Sequence, residues 1–223
     1  MCRNKFAKED FIMTPKEKAF ATLAKTMIQN LKKRGMEGHY FDDCASLVAF
    51  LKETLPDDSV IAWGGSMSLG ESGVMDMLES GKYQLIDRSA AKTPEESREL
   101  YSRAVLSDYF FMSTNAITID GELVNIDGSG NRVACLCHGP SHVFLIVGRN
   151  KVTSTLEDAI RRVHDIASPA NTVRLGLNTP CSVTGRCADC QSPDCICCQT
   201  VVTRHSRQPG RIQVFLVNQE LGY

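Results

Sequence analysis

The sequence lacks a charge bias and long apolar runs. It has 25 Lys and Arg against 26 Asp and Glu in 223 residues, and so little net charge argues against nucleic acid or anionic lipid as a partner. No run of eighteen apolar residues could span a bilayer, and the chain does not open on an apolar stretch of the secretory type. We therefore expect a cytoplasmic protein that binds neither nucleic acid nor membrane.

Several common catalytic motifs are missing as well. The chain has no G-x-S-x-G or H-E-x-x-H pattern, no G-x-G-x-x-G fingerprint and no P-loop lysine. The sequence therefore gives no motif-based support for a hydrolase or for these nucleotide-binding folds.

Apolar periodicity predicts alternating helices and strands. Thr14-Pro15-Lys16-Glu17 has the pattern of a helix start, with a capping residue, a proline at the first helical position and a glutamate three residues on. Another helix is expected at 155–167, and residues 113–132 are expected to form a hairpin-like excursion. Strands are predicted at 59–63, 83–86, 109–112, 133–137, 143–147 and 212–217.

This alternation favours a largely parallel sheet covered by helices on both faces. The length suits one α/β domain over residues 1–223. Its main body is expected at 14–178 and a cysteine-rich lobe at 179–200. The lobe is interpreted as an insertion before a terminal strand at 211–218.

The segment WGGSMSLGE, residues 63–71, is the first candidate site. It follows a predicted strand and opens a helix, so glycines would let the backbone approach a ligand and unpaired N–H groups would face an anion. A phosphate or carboxylate would fit there, although a tight turn without a ligand stays open. The candidate ligand-binding residues are Gly64, Gly65, Ser66 and Ser68.

The segment STNAITIDGELVNIDGSGNRVA, residues 113–134, is dense in polar side chains between apolar stretches. Its carboxylates could act as acid and base, or they could cap and staple a hairpin through Asx turns. Both interpretations stay open from the residues alone. The polar residues concerned are Asn115, Asp120, Glu122, Asn125, Asp127, Asn131 and Arg132.

Six of the ten cysteines lie within residues 181–198. In a reducing compartment, clustered cysteines are more often metal ligands or redox-active thiols than disulfides. The predicted metal ligands are Cys181, Cys187, Cys190 and Cys197, with Cys195 and Cys198 in reserve. The spacing matches neither the common zinc-ribbon pattern nor the bacterial ferredoxin run, so an iron–sulfur cluster, zinc, redox-active thiols and a disulfide all stay open from the residues. The prediction for the whole chain leans toward an iron–sulfur cluster.

The long motif at 113–134, with GP at 139–140 and VGRNK at 147–151, resembles the lactate-utilisation (LUD) domain family. WGGSMSLGE and the closing VFLVNQELGY fit the resemblance too. It implies a fold of the sugar-phosphate isomerase and CoA-transferase type, a three-layer α/β/α sandwich. It also implies association with the oxidation of lactate to pyruvate beside iron–sulfur or flavin-type oxidoreductase subunits.

The resemblance also implies roles for residues. Gly64 to Ser68 would hold a small anionic substrate, assisted by Asn115, Asp127 and Asn131. Asp120 or Glu122 would be the acid or base, and Arg132 would pair with a carboxylate or phosphate. Relatives resemble CxxTGxCxDCxSPxRIC at the cysteine lobe, and this chain departs from that pattern with Cys195 in place of arginine and with an additional Cys198.

The expected function is therefore that of a LUD-type protein that supports oxidation of a small 2-hydroxy acid, as an electron-transfer or binding subunit. One alternative is a stand-alone enzyme of the isomerase, CoA-transferase or cyclo-ligase kind acting on small anionic metabolites. Another is a non-enzymatic adaptor or sensor stabilised by a metal. A homodimer is compatible with all three, because two-fold dimers are the commonest soluble assemblies.

Overall fold

The computed structural model describes residues 13–223. Among these residues, none of the helices combines the length and the apolar character needed to cross a membrane. The elements in chain order are α1 (Pro15–Lys33), β1 (Glu37–Phe41), α2 (Cys44–Thr54), β2 (Val60–Trp63), α3 (Met67–Glu71), α4 (Val74–Leu78), β3 (Gln84–Ile86), α5 (Pro94–Val105), β4 (Tyr109–Met112), β5 (Ala116–Thr118), β6 (Leu123–Asp127), α6 (Asn131–Cys137), β7 (His142–Gly148), β8 (Val152–Thr153), α7 (Leu156–Arg162), α8 (Ser168–Leu175), α9 (Pro180–Thr184), β9 (Gln199–Thr203) and β10 (Ile212–Val217).

The main sheet has six parallel strands in the order β1-β10-β7-β4-β2-β3. Alternate residues of its central strands enter two separate cores. In β7, Val143, Leu145 and Val147 pack with α1, α5 and α6, while Phe144 and Ile146 pack with α2, α3 and α4. This two-sided burial explains the nearly continuous apolar strands, and it confirms the predicted three-layer α/β/α sandwich.

A second sheet has four strands in the order β8-β5-β6-β9. The hairpin-like excursion predicted at 113–132 contributes β5 and β6, which pair antiparallel. Ala116 and Val124 pack on Ala159 and Val163 of the helical segment that starts with α7. Strand β9 follows the cysteine lobe directly and pairs with β6, so the lobe lies between α8 and an edge of this sheet.

Most of the predicted elements are confirmed. Helix α1 begins with the expected capping box, in which the Thr14 side chain accepts from the Glu17 N–H and the Glu17 side chain accepts from the Thr14 N–H. Strands β2, β3, β4, β7 and β10 lie within one residue of the predicted bounds. The helix predicted at 155–167 continues through a π-helical turn at Val163–Ala167 into α8.

The strand predicted at 133–137 is wrong, because this segment forms α6. Gly130 precedes α6 with a φ of 80°, a left-handed conformation that glycine adopts without strain. Val133 and Leu136 are buried while Ala134 is exposed. Cys135 beside Leu136 is buried as well, which breaks the strict alternation of a strand, and the Ala134 N–H donates to the Gly130 carbonyl at 2.9 Å as in a helix.

Candidate functional site

A pocket of about 290 Å³ opens at the carboxyl ends of the central parallel strands. Gly65 and Ser66 follow β2, Ser113 follows β4, and Lys151 comes shortly after β7. Open α/β sheets commonly bind ligands at this edge. The volume is at the small end of the range of roughly 300–1,000 Å³ for ligand pockets, so the pocket suits a small metabolite.

The opposite wall comes from the second sheet and from α8. Asp127 and Asn131 border the turn between β6 and α6, and Asn171 and Arg174 lie on α8. The structure therefore brings the glycine-turn residues Gly65 and Ser66 together with residues of the 113–134 motif. Tyr223 also lines the pocket.

Arg132 is the centre of a hydrogen-bond network that holds this wall together. Its Nη1 donates to the Ser113 carbonyl at 3.2 Å and to Asn125 Oδ1, and its Nη2 donates to Asn115 Oδ1 at 3.0 Å and to the Ile126 carbonyl at 2.7 Å. Its Nε lies 3.5 Å from Asp127 Oδ2. A guanidinium has no further N–H groups to offer.

These contacts change the role predicted for Arg132. Its donors are committed to the protein, so we assign it the task of positioning the pocket wall and not that of pairing with a ligand. Burial lowers the pKa of Arg132, and the carboxylate of Asp127 opposes this effect. Asp127 is fully engaged too, since its Oδ1 accepts from the N–H groups of Ser129 and Gly130 at 3.1 and 2.8 Å.

The two glycines of the turn serve different purposes. A Cβ at Gly64 would lie 2.9 Å from the Arg132 side chain, so a larger residue would displace the arginine. A Cβ at Gly65 would meet nothing within 4 Å, and Gly65 lines the pocket. Because α3 has only five residues, the helix start expected to attract an anion supplies a weak dipole.

Lys151 is the pocket residue that the sequence predictions missed. It is only 4% exposed, and its Nζ donates to Ser68 Oγ at 2.8 Å and to Ser113 Oγ at 3.0 Å. Burial, together with the positive charges of Arg162 and Arg132, lowers the pKa of Lys151 to about 7, and Glu71 opposes this only weakly. A buried lysine of this kind is typical of functional sites.

Arg88 and Arg174 also line the pocket and were not predicted. The Nε of Arg88 is buried and has no hydrogen-bond partner within residues 13–223, and its Nη2 reaches only the Trp63 carbonyl at 3.5 Å. Arg174 is exposed, and its Nε and Nη2 donate to Asn171 Oδ1. Among the described residues that line the pocket, the basic side chains of Arg88, Lys151 and Arg174 therefore meet no free carboxylate side chain, because Asp127 is already paired.

The structure places Asp120 and Glu122 away from this pocket, at the far end of the β5–β6 hairpin. Asp120 is exposed, and Glu122 forms an ion pair at 3.2 Å with Arg34, the residue that caps the end of α1. Glu122 also accepts from the Thr118 hydroxyl at 3.1 Å. Neither residue lines the pocket, so we withdraw the acid–base role predicted for them and assign them to hairpin and helix packing.

The cysteine lobe encloses a second, smaller cavity of about 70 Å³. The Sγ of Cys187 lies 3.4 Å from His164 Nδ1, and the Sγ of Cys197 lies 3.2 Å from the Ser168 hydroxyl. The Cys181 thiol is buried and contacts the hydroxyls of Thr172 and Thr179 at 3.4 and 3.2 Å. The thiol and imidazole residues lining this cavity are His164, Cys181, Cys187, Cys190, Cys195 and Cys197.

These side chains are of the type that zinc and iron–sulfur clusters bind. In the described part of the chain, however, no group of three or more His, Cys, Asp or Glu is arranged to hold a metal ion. Burial raises the pKa of Cys197 to about 11, so this thiol keeps its proton at neutral pH and a metal would have to displace it. The lobe as placed is a thiol-lined cavity and not a preassembled metal centre, and the metal assignment stays a prediction.

The fold and the pocket together define an α/β protein with a small pocket at the carboxyl edge of a parallel sheet. The chain belongs to the LUD domain family, which matches residues 24–217. This match confirms the resemblance seen in the sequence and makes the chain a protein of the lactate-utilisation type. No curated protein matches the chain.

Solved structures resemble the chain at low sequence identity. A DUF162 family protein from Deinococcus radiodurans is 13% identical, with a TM-score of 0.51 over 88% of this chain and 97% of that one. The eIF2B delta subunit from Chaetomium thermophilum is 12% identical, with a TM-score of 0.36 over 64% of this chain and 55% of that one. A chain of the tetrameric eIF2B-beta2-delta2 complex from C. thermophilum is 13% identical, with a TM-score of 0.41 over 90% of this chain and 62% of that one. At these identities the first likeness shows the fold.

Proposed function

We propose that the chain binds the carboxylate of a small 2-hydroxy or 2-oxo acid in the pocket, as a binding subunit in lactate oxidation. The observation that carries this proposal is the uncompensated basic charge of a pocket of about 290 Å³. Arg88 keeps a buried Nε without a partner in the described residues, and a guanidinium fork suits a carboxylate. Membership of the LUD domain family supports the choice of substrate class.

The same features make a stand-alone enzyme of the isomerase, CoA-transferase or cyclo-ligase kind a weaker proposal. The carboxylate acid or base assumed for such an enzyme must lie within reach of the substrate, but the pocket carboxylate of Asp127 is bonded to Ser129, Gly130 and Arg132. The pocket volume also suits a small acid better than a coenzyme A moiety. We therefore favour a binding subunit that works beside iron–sulfur or flavin-type oxidoreductase subunits.

Isothermal titration calorimetry with lactate, pyruvate and neutral lactamide tests the proposal. Lactate and pyruvate should bind and lactamide should not, because only the acids carry a negative charge. Arg88→Gln should weaken acid binding by roughly tenfold or more, as expected for loss of a charged hydrogen bond. Arg98→Gln is the matched control, since Arg98 is exposed on α5 outside the pocket. Equal affinity for lactamide and lactate would contradict the proposal.

The cysteine lobe supports a second candidate function, electron transfer through a bound iron–sulfur cluster. The observation that favours it is the convergence of five cysteines and His164 on one cavity of about 70 Å³. Anaerobic purification should then give a brown protein with stoichiometric iron, and Cys187→Ser should lose both colour and iron. Cys137→Ser is the control, because Cys137 is exposed and lies outside the lobe.

Other outcomes of the same experiment support different functions. Stoichiometric zinc without colour would support a structural lobe and the adaptor or sensor proposal. A protein that holds neither metal after anaerobic purification would contradict electron transfer by this lobe and leave redox-active thiols as its proposed chemistry.

A further inference from the structure

We propose that Lys151 is a nucleophile that forms a reversible imine with the carbonyl carbon of a short 2-oxo acid held in the pocket. This inference rests on the proposed function, because it assumes that a small carboxylate binds there. It names the substrate class as the 2-oxo acid and gives the buried lysine a covalent role.

The hydrogen bonds around Lys151 fit a neutral amine. Its Nζ donates to Ser68 Oγ and Ser113 Oγ, and these hydroxyls donate onward to the carbonyls of Leu221 at 3.1 Å and Thr114 at 3.3 Å. A neutral amine has two N–H groups and one lone pair, so both of its donors are satisfied. An ammonium would carry a third N–H, for which residues 13–223 provide no acceptor.

No carboxylate forms an ion pair with Lys151 within the described residues, where the nearby charges are mostly positive. Arg162 and Arg132 disfavour the ammonium and Glu71 favours it weakly, while burial dominates and lowers the pKa to about 7. At neutral pH about half of the side chain is therefore the free amine, against on the order of 0.04% for an ordinary lysine. The free amine, which is the nucleophilic form, is therefore on the order of a thousandfold more abundant at Lys151 than at an ordinary lysine.

The pocket supplies the remaining requirements for imine formation. Lys151, Arg88 and Arg174 line the same cavity, so a carboxylate held by an arginine places the adjacent carbonyl within the same small volume. In a short 2-oxo acid the carbonyl carbon is bonded directly to the carboxylate.

The step balances without an oxidant or a metal. The Nζ lone pair attacks the carbonyl carbon to form a C–N bond, and the carbonyl oxygen takes up a proton to give a carbinolamine. Nζ gives up both of its protons, which end on the former carbonyl oxygen. The C–O bond breaks as this oxygen leaves as water, and a C=N bond remains. Hydrolysis reverses these steps and returns the 2-oxo acid and the free lysine.

Reductive trapping tests the proposal on the intact protein. The chain is incubated with pyruvate and sodium cyanoborohydride at neutral pH, digested, and mapped by mass spectrometry. The reduced pyruvyl adduct should appear on Lys151 roughly tenfold or more faster than on exposed lysines, because of its larger neutral fraction. Lactate, which has no carbonyl group, should give no adduct.

Two variants and a binding measurement separate the possible failures. Lys151→Arg should abolish the fast adduct, whereas Lys92→Arg, a change at an exposed residue of a loop, should leave it unchanged. Pyruvate binding by calorimetry without preferential labelling of Lys151 would overturn the imine and leave the proposed function standing. Absence of both binding and labelling in the wild-type chain would overturn both, and it does not depend on whether a variant folds.

Discussion

Replacement of Lys151 by methionine should change how the stability of the protein depends on pH. Methionine keeps an unbranched side chain of similar length but carries no charge, so it removes the titrating group with little change in volume. In the folded protein the pKa of Lys151 is lowered to about 7, whereas an unfolded lysine titrates near 10.4. The two states therefore hold different numbers of protons between these values.

The sign and size of the effect follow from proton linkage. Below about pH 7 the lysine is protonated in both states, and the cost of burying its charge lowers the free energy of unfolding by its full amount. Above pH 7 the folded state loses the proton first, so the free energy of unfolding rises with pH by at most about 1.4 kcal/mol per pH unit. For this group alone the gain between pH 7 and pH 9 is about 2 kcal/mol.

Other groups titrate in this range, so the prediction concerns the difference between two proteins. Burial raises the pKa values of Cys44, Cys135 and Cys197, and these thiols lower the stability as the pH rises past their unfolded values. They are present in both the wild type and Lys151→Met. Their contribution therefore cancels when the two unfolding free energies are subtracted at each pH.

Urea denaturation at several pH values, under reducing conditions and followed by fluorescence, measures this difference. The protein has a single tryptophan, Trp63, at the end of β2 beside the pocket, which gives one local probe. Buffers without phosphate or carboxylate are needed, because a bound anion would favour the ammonium. Lys151→Met should be more stable than the wild type at pH 6.5, with an advantage that shrinks toward pH 9. Parallel curves for the two proteins would refute the lowered pKa and the chemistry that depends on it.

Four other substitutions test the pocket wall and the β5–β6 hairpin by urea denaturation and lactate titration. Gly64→Ala should destabilise the fold by about 1–3 kcal/mol through overpacking against Arg132, whereas Gly65→Ala should leave stability nearly unchanged. Equal losses of stability in the two variants would refute the claim that only Gly64 lacks room for a Cβ. Arg132→Lys keeps the charge but loses the planar fork, so it should cost roughly 2–4 kcal/mol by leaving buried acceptors unpaired; a loss below about 1 kcal/mol would refute that role. Glu122→Gln weakens only the ion pair with Arg34, so it should lower the free energy of unfolding by less than about 1 kcal/mol and leave lactate affinity unchanged. A loss of lactate affinity would show that Glu122 takes part in binding after all.

The sheet could be predicted from the sequence because its strands are buried on both faces. Strands such as β4 and β7 have to be apolar at nearly every position, and short apolar runs between helical patterns indicate them directly. The strand predicted at 133–137 was wrong for a related reason. A short apolar run does not distinguish a strand from a buried helix, and only the hydrogen bond from the Ala134 N–H to the Gly130 carbonyl and the burial of the adjacent Cys135 and Leu136 decide for α6.

The site could be predicted only in part, because polar motifs reveal residue types and not their partners. The sequence predicted Arg132 as a ligand-binding residue, but in the structure its guanidinium N–H groups donate to oxygen atoms of the protein itself. Lys151 went unmarked, although VGRNK at 147–151 places a lysine directly after a buried strand. That position is the available signal, since a basic residue at the carboxyl end of a central strand faces the common ligand-binding edge.

The position of the cysteine lobe bears on how its thiols and the pocket interact. Ile196 lines both the pocket and the thiol cavity, and a Cβ at Gly128 would lie 3.3 Å from the Ile196 backbone. Cys195 and Cys197 are its neighbours in the chain, so a change in the bonding of these thiols would move Ile196 against the turn that carries Asp127. Ile196 is half-buried, but its backbone already lies close to Gly128, so a shift toward this turn meets the backbone there. Oxidation or metal loading of the lobe should therefore alter the affinity of the pocket for lactate, even though none of the cysteines at 13–223 lines the pocket.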